Sequence, residues 1–207
     1  MAPERPYRSD SGGRPARRSP QRDFDFGRTV ALSDGVFAIA LTILVVTIGV
    51  PHLSSARQGE LPRELLAVLP QVGSYALSFA VIARLWRRHH HFFADLARVD
   101  GRLAGLNLFY LALIAFIPFP TAVLGEYGTQ PIAAAVYGAT IAVVAAVSGV
   151  MRGHALRAGL LAPEVARPQA RRWLSIATLF AASVPLAFIS PYAAEALWVA
   201  SLFLRAG

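Results

Sequence analysis

The feature that most constrains this chain is a set of apolar blocks too long for the core of a small soluble domain. From Gly35 to Val50 no charged residue interrupts GVFAIALTILVVTIGV. That block spans about residues 28–50, and five more follow at about 62–86, 103–124, 131–151, 173–190 and 192–203. One helical crossing of a bilayer needs about 20 apolar residues. The first four blocks reach that length. The last two are shorter and are divided by Ser190, Pro191 and Tyr192. A tight turn between two helices fits that division better than one broken helix. Composition agrees, with 55% hydrophobic and 15% charged residues, against roughly 25% charged in an ordinary soluble domain. The expectation is an all-α polytopic membrane protein with six transmembrane helices over residues 28–207. Residues 1–27 are rich in Pro, Gly, Ser and Arg. Such a segment buries too little apolar surface to order itself, so a disordered basic tail is expected. It is too long and polar for the n-region of a secretory signal, so the first helix is expected to be kept.

The charges test this layout. All 20 basic side chains are Arg and the net charge is +8. In a soluble protein that excess would suggest nucleic acid, but here the placement argues otherwise. Seven Arg lie in residues 1–28, five in 84–102 and five in 152–172. The connection after the first block has only Arg57 and Arg63, offset by Glu60 and Glu64, and the connection after the third has only Glu126. Basic residues occupy alternate connections. The positive-inside rule then puts both termini in the cytoplasm and requires an even number of crossings. The Arg excess reads as topology and contact with anionic lipid headgroups, with no nucleic acid partner. The chain has no Cys, which excludes disulfides and thiolate metal sites. His89, His90 and His91 are consecutive and do not converge on one ion from a regular helix, so no metal site is expected. Pro70, Pro118, Pro120 and Pro185 fall within or near the ends of the blocks, where membrane helices tolerate them as kinks. The fourth block is rich in Ala and Gly, which permits close helix packing.

The first block has a direction. At about 100° per residue, with Ile39 as zero, Ile43 falls near 40° and Val46 near −20°. These three form one stripe, flanked by Gly35 and Thr42. Asp34 falls near −140°, well away from the stripe. A carboxylate at membrane depth is costly unless paired or hydrated. Asp34 therefore either caps the start of the helix, with Ser33 as the alternative cap, or joins a buried network. Arg28 lies six residues earlier and is not a same-face partner. The best candidates close the second block, in LWRRHHHFF. Trp86 shares a helical face with His89 and His90, and a His–Asp contact there would titrate near neutral pH. Asn107, in the third block, is a buried polar residue that also requires a partner.

Taken together these residues resemble the bacterial TMEM175 potassium channel family. RTVALSDGVFAIALTILVV (28–46) is similar to the family's first-helix signature of Arg, three residues, Phe-Ser-Asp. Arg28, Ser33 and Asp34 match, and Leu32 replaces the Phe. WRRHH (86–90) matches its Trp-x-x-His-His pattern, and LNLFYLALIAFIPFPTAVLGEYG (106–128) is similar to its third helix and following loop. The resemblance implies a homotetrameric, potassium-permeable cation channel that lacks a TVGYG filter and has a pore lined by the first helix. It implies a hydrophobic constriction at Ile39, with further rings at Ile43 and Val46, and a selectivity layer at Thr42. It also implies a structural polar network of Arg28, Ser33, Asp34, Trp86, His89, His90 and Asn107. No catalytic residue, cofactor or metal is implied beyond permeant K+, and the location is a bacterial plasma membrane. The competing readings are a proton-coupled transporter using Asp34 and the His cluster, and a non-conducting membrane scaffold. A transporter predicts an internal repeat, and no convincing inverted repeat is present. An enzyme would need a convergent nucleophile or metal set, which LSDG does not supply.

Overall fold

A computed structural model describes residues 20–162 and 170–203. The first block forms α1 (Pro20–Ile43), which tightens into a 3-10 turn over Leu44–Thr47. α1 begins inside the stretch expected to lack order, and residues 1–19 lie outside the described residues. The Phe26 ring lies 6.3 Å from that of Phe93, so this extension finds an apolar partner that composition alone does not reveal.

Prolines divide the next two blocks. After a 3-10 segment at Ser55–Glu60 come α2 (Leu61–Ala67) and α3 (Leu69–Ala94). The break at Val68 precedes Pro70, which has no N–H to continue the helical bonding. α3 then runs past Trp86, its expected end, through the three His to Ala94. The third block forms α4 (Gly101–Phe116) and α5 (Pro118–Tyr127), divided just before Pro118. Asp100 caps α4 by accepting the Leu103 N–H at 2.7 Å. The remaining helices are α6 (Pro131–Arg157), α7 (Ala170–Ile189) and α8 (Pro191–Phe203). Pro185 lies inside α7 without ending it, and the chain turns from α7 to α8 at Ser190 as the sequence indicated.

α1 packs against α3 and α4, and its 3-10 end packs against α5. α6 contacts α4 and α5 on one side and α7 on the other, and α8 covers α7, α6 and α3. Phe37, Leu44, Ile82, Leu103, Ile114, Ile141 and Trp198 are fully buried between these helices. Small residues let α6 sit close to its neighbours, as their frequency suggested. A Cβ on Gly138 would stand 2.8 Å from Ser183 Oγ and 3.3 Å from the Trp198 ring.

The Arg-rich end is tied by a clasp between two connections. The α3–α4 connection pairs with the segment after α6 through the Leu96–Leu161 bridge. The Ala97 N–H donates to Leu160 O at 2.8 Å and the Ala162 N–H to Asp95 O at 2.9 Å. Arg152 reaches Asp95 at 3.4 Å and His154 Nε2 reaches Asp100 at 2.9 Å. The Leu103 N–H, and secondarily His154, hold the Asp100 carboxyl below its ordinary range. Gly159, at φ +61, makes the turn out of α6 that aligns this pairing.

Among the described residues, four helical segments are long and apolar enough to cross a membrane: Phe26–Thr47, Ser55–Ala94, Gly101–Tyr127 and Pro131–Arg157. α7 contributes a shorter apolar stretch at Ile176–Ile189. The 13 residues of α8 extend about 20 Å, short of the roughly 30 Å of a hydrocarbon core.

Candidate functional site

The two faces of α1 have opposite environments. Phe37, Ala40 and Leu44 are buried against the bundle, at 1%, 1% and 0% exposure. Ile39, Ile43 and Val46 point away from it, at 64%, 47% and 75%. The stripe read from the sequence is thus one continuous exposed apolar face within a single chain. It survives the change of helix type after Ile43. In a 3-10 turn residues three apart eclipse, so Val46 stays in line with Ile43, about 6 Å further along. Thr42 is exposed beside the stripe, and its hydroxyl donates to Ile39 O at 2.9 Å. With its hydrogen committed to the backbone, that oxygen presents only lone pairs to an approaching cation.

The buried side carries a directed chain of hydrogen bonds across three helices. His89 Nε2–H of α3 donates to Asn107 Oδ1 of α4 at 2.8 Å. Asn107 Nδ2 donates to Ser33 Oγ of α1 at 3.0 Å. The Ser33 hydroxyl closes the chain by donating to Thr29 O at 2.8 Å. Every member donates once in the same direction, an arrangement in which the bonds polarise one another. His89, Asn107 and Ser33 are 5%, 1% and 1% exposed, so each relies on these partners and not on water. Aromatic rings fix the imidazole. Tyr110 stacks on it at 5.4 Å and 8°, Phe93 lies at 4.5 Å, and Phe37 at 5.4 Å.

Asp34 belongs to a second contact. Its Oδ1 accepts the Trp86 indole N–H at 2.9 Å. Asp34 lies well inside α1 and Ser33 bonds back one turn, so neither caps the helix. The carboxylate bonds to Trp86 and not to an imidazole, because His89 is turned inward to Asn107. His90 is exposed, with its ring 5.6 Å from that of Trp86, and lies outside the hydrogen-bonded chain. Arg28 is exposed on α1 below Asp34.

At the Arg-poor end, sequence reasoning missed a third contact. Gln71 Oε1 accepts the Gly49 N–H at 2.6 Å, just beyond the 3-10 turn of α1. Gln71 Nε2 in turn donates to Glu126 Oε2 at 3.1 Å. The contact requires close backbone approach, since a Cβ on Gly125 would meet Ser74 Oγ at 2.6 Å and Gln71 Cα at 3.0 Å. The polar frame thus holds α1 near both ends and leaves its apolar stripe outward. Among the described residues, no group of three or more His, Asp or Glu is placed to hold a metal ion.

The fold and this frame define an all-α polytopic membrane protein whose first helix is held by its neighbours on one side and bare on the other. Comparison with known proteins gives the family. The model of the endosomal/lysosomal potassium channel TMEM175 family matches residues 28–118. A potassium channel of Streptomyces collinus is 39% identical over 173 residues, covering 79% of this chain and 83% of that protein. A potassium channel of Chamaesiphon minutus is 40% identical over 138 residues, 65% and 68% of the two chains. The crystal structure of a lysosomal potassium-selective channel TMEM175 homolog from Chamaesiphon minutus superposes with a TM-score of 0.79. The two are 31% identical, and the match covers 86% of this chain and 95% of that one. The chain belongs to the TMEM175 family.

Proposed function

We propose that this chain is a potassium-permeable cation channel and not an enzyme. In this reading four copies surround a pore lined by α1, with Ile39, Ile43 and Val46 as successive hydrophobic rings. The observation that carries it is the exposed stripe on α1, opposite the Ser33–Asn107–His89 chain and the Asp34–Trp86 bond. The names of the bacterial relatives, each a potassium channel, support the same class of activity and potassium as the permeant ion. The structured part then makes six crossings, with α7 and α8 as the short fifth and sixth. Both termini, including the basic tail, lie in the cytoplasm of a bacterial cell, and the Arg-rich connections support that orientation.

Conduction is passive. A ring of Ile39 side chains makes a hydrated ion shed part of its water, and the same ring closes the path by dewetting without a plug. No backbone carbonyl filter replaces the lost hydration, so preference for potassium over sodium is modest. The lone pairs of Thr42, freed by the hydroxyl's bond to Ile39 O, offer partial compensation. Arg28, Ser33, Asp34, Trp86, His89 and Asn107 act behind the pore by fixing the angle and rotation of α1. His90 is a lesser member, through its ring contact with Trp86.

The test is ion flux into liposomes holding the reconstituted protein under a potassium gradient. Potassium-driven flux is expected, with weak discrimination against sodium. Absence of cation flux at every voltage and pH tried would sink the channel reading and leave the scaffold reading in its place.

A further inference from the structure

One cavity lies apart from both the polar network and the apolar stripe. It sits at the Arg-poor end between α3, the α5–α6 connection and α8, and has a volume of about 590 Å³. That size suits a small organic molecule and exceeds what a bare ion needs. Leu77, Leu124 and Val199 give it an apolar wall, and Ser74, Glu126 and Glu195 give it acceptors. Among the described residues, no Arg or His lines it.

The two carboxylates differ in a telling way. Glu126 already accepts a hydrogen bond from Gln71 at 3.1 Å. Glu195 is partly buried on α8 and makes no hydrogen bond or ion pair with any described residue. Partly buried and without a protein partner, that carboxylate leaves its lone pairs to an occupant of the cavity, and a cationic donor pairs with them more strongly than a neutral one. The space beside it is too large and too apolar on its far side for a metal ion. A positively charged nitrogen on a short alkyl chain satisfies both walls at once.

We propose that this cavity binds an organic ammonium group. Glu195 is its charge partner, Ser74 and Glu126 supply further acceptors, and the apolar wall takes the alkyl part. The same ammonium chemistry is available from a free amine and from an aminophospholipid headgroup. Binding here is independent of whether the protein conducts, so it is tested without a flux measurement.

The experiment is calorimetric titration of the full-length protein, in nanodiscs of phosphatidylglycerol alone, with n-butylammonium and with n-butanol. One saturable site per chain is expected, at least tenfold tighter for butylammonium than for butanol. Glu195→Gln is expected to weaken butylammonium binding at least tenfold. Gly73→Leu provides a second variant, because Gly73 lines the cavity and a Cβ there meets nothing within 4 Å. Its Cβ is accommodated without a clash and its side chain takes up part of the space, so it is expected to weaken binding at least tenfold while the helical thermal melt is retained. Adding phosphatidylethanolamine to the discs separates the two sources. A fall in apparent butylammonium affinity identifies the headgroup as the occupant, and an unchanged affinity identifies a free amine. Equal binding of butanol, unchanged affinity in both variants, or no saturable binding would each overturn the proposal.

Discussion

The two faces of α1 are built from the same short segment and held in contrasting ways. On one face Ser33, buried beside Phe37 and Ala40, is locked to α3 and α4 through Asn107 and His89. On the other, Ile39, Ile43 and Val46 touch no equivalent partner among the described residues and stand exposed. The residues with the most chemistry, Asp34 and His89, are the ones occupied in holding helices together. The residues with the least chemistry are left exposed at the surface of the chain. A hydrogen-bonded frame fixes rotation, because a bond has a direction. An apolar stripe does not fix rotation, so it depends on the frame to aim it.

Breaking the stripe tests that division most strongly. Ile39→Asn is expected to raise single-channel conductance about tenfold, the effect of lowering the barrier by about 1.4 kcal/mol, and to reduce ion discrimination. An unchanged conductance would remove Ile39 from the narrow point. Breaking the frame acts on stability instead. Asn107→Ala leaves the buried His89 N–H without its acceptor, at a cost of about 1–3 kcal/mol. A lowered thermal midpoint and loss of assembled protein on size-exclusion chromatography check it. Trp86→Phe keeps an aromatic side chain but shrinks it and removes the donor to Asp34, so a smaller loss of about 1 kcal/mol is expected from the hydrogen bond in the same assay. Thr42→Val keeps the shape and removes the oxygen. Bi-ionic reversal potentials should show the potassium preference fall about twofold, since one hydroxyl ring is a weak substitute for hydration. Thr42→Ser should keep it.

The smallest effect lies away from α1, in the clasp. The Asp100 carboxyl is held below its ordinary value of 3.8. Its contribution is therefore complete above that pH and is lost as pH falls through the depressed value. Asp100→Asn should lower the thermal midpoint slightly at neutral pH and flatten its decline in acid. A variant whose acid limb matches that of the parent would place the acid sensitivity elsewhere.

Much of this was legible in the sequence because it depends on local periodicity. The apolar blocks, the stripe on α1 and the division at Ser190 all follow from spacing along one segment. That Ser33, Asp34, His89 and Asn107 would find partners was also legible, because a polar residue inside an apolar block must find one. Which partner it finds was not. His89 and His90 are adjacent in sequence and about 100° apart on a helix, and only the position of Asn107 on α4 selects His89. Charge alone points Asp34 to a His, whereas the Trp86 indole reaches it once His89 has turned inward. The packing of Phe26 depends on Phe93, and the Gln71–Gly49 contact on the close approach allowed by Gly125. The clasp joins residues some 60 positions apart. Tertiary contacts of that kind leave no periodic trace in the sequence.

The claim that α1 aims its apolar stripe at the ion path has a direct test, because the chain contains no Cys. Single cysteines are placed at Ile39 and at Val143, an exposed position on α6, and potassium flux is measured before and after addition of Ag+. Block of the Ile39→Cys protein alone is the predicted result. Block of the Val143→Cys protein with Ile39→Cys unaffected would contradict it and move the pathway to another helix.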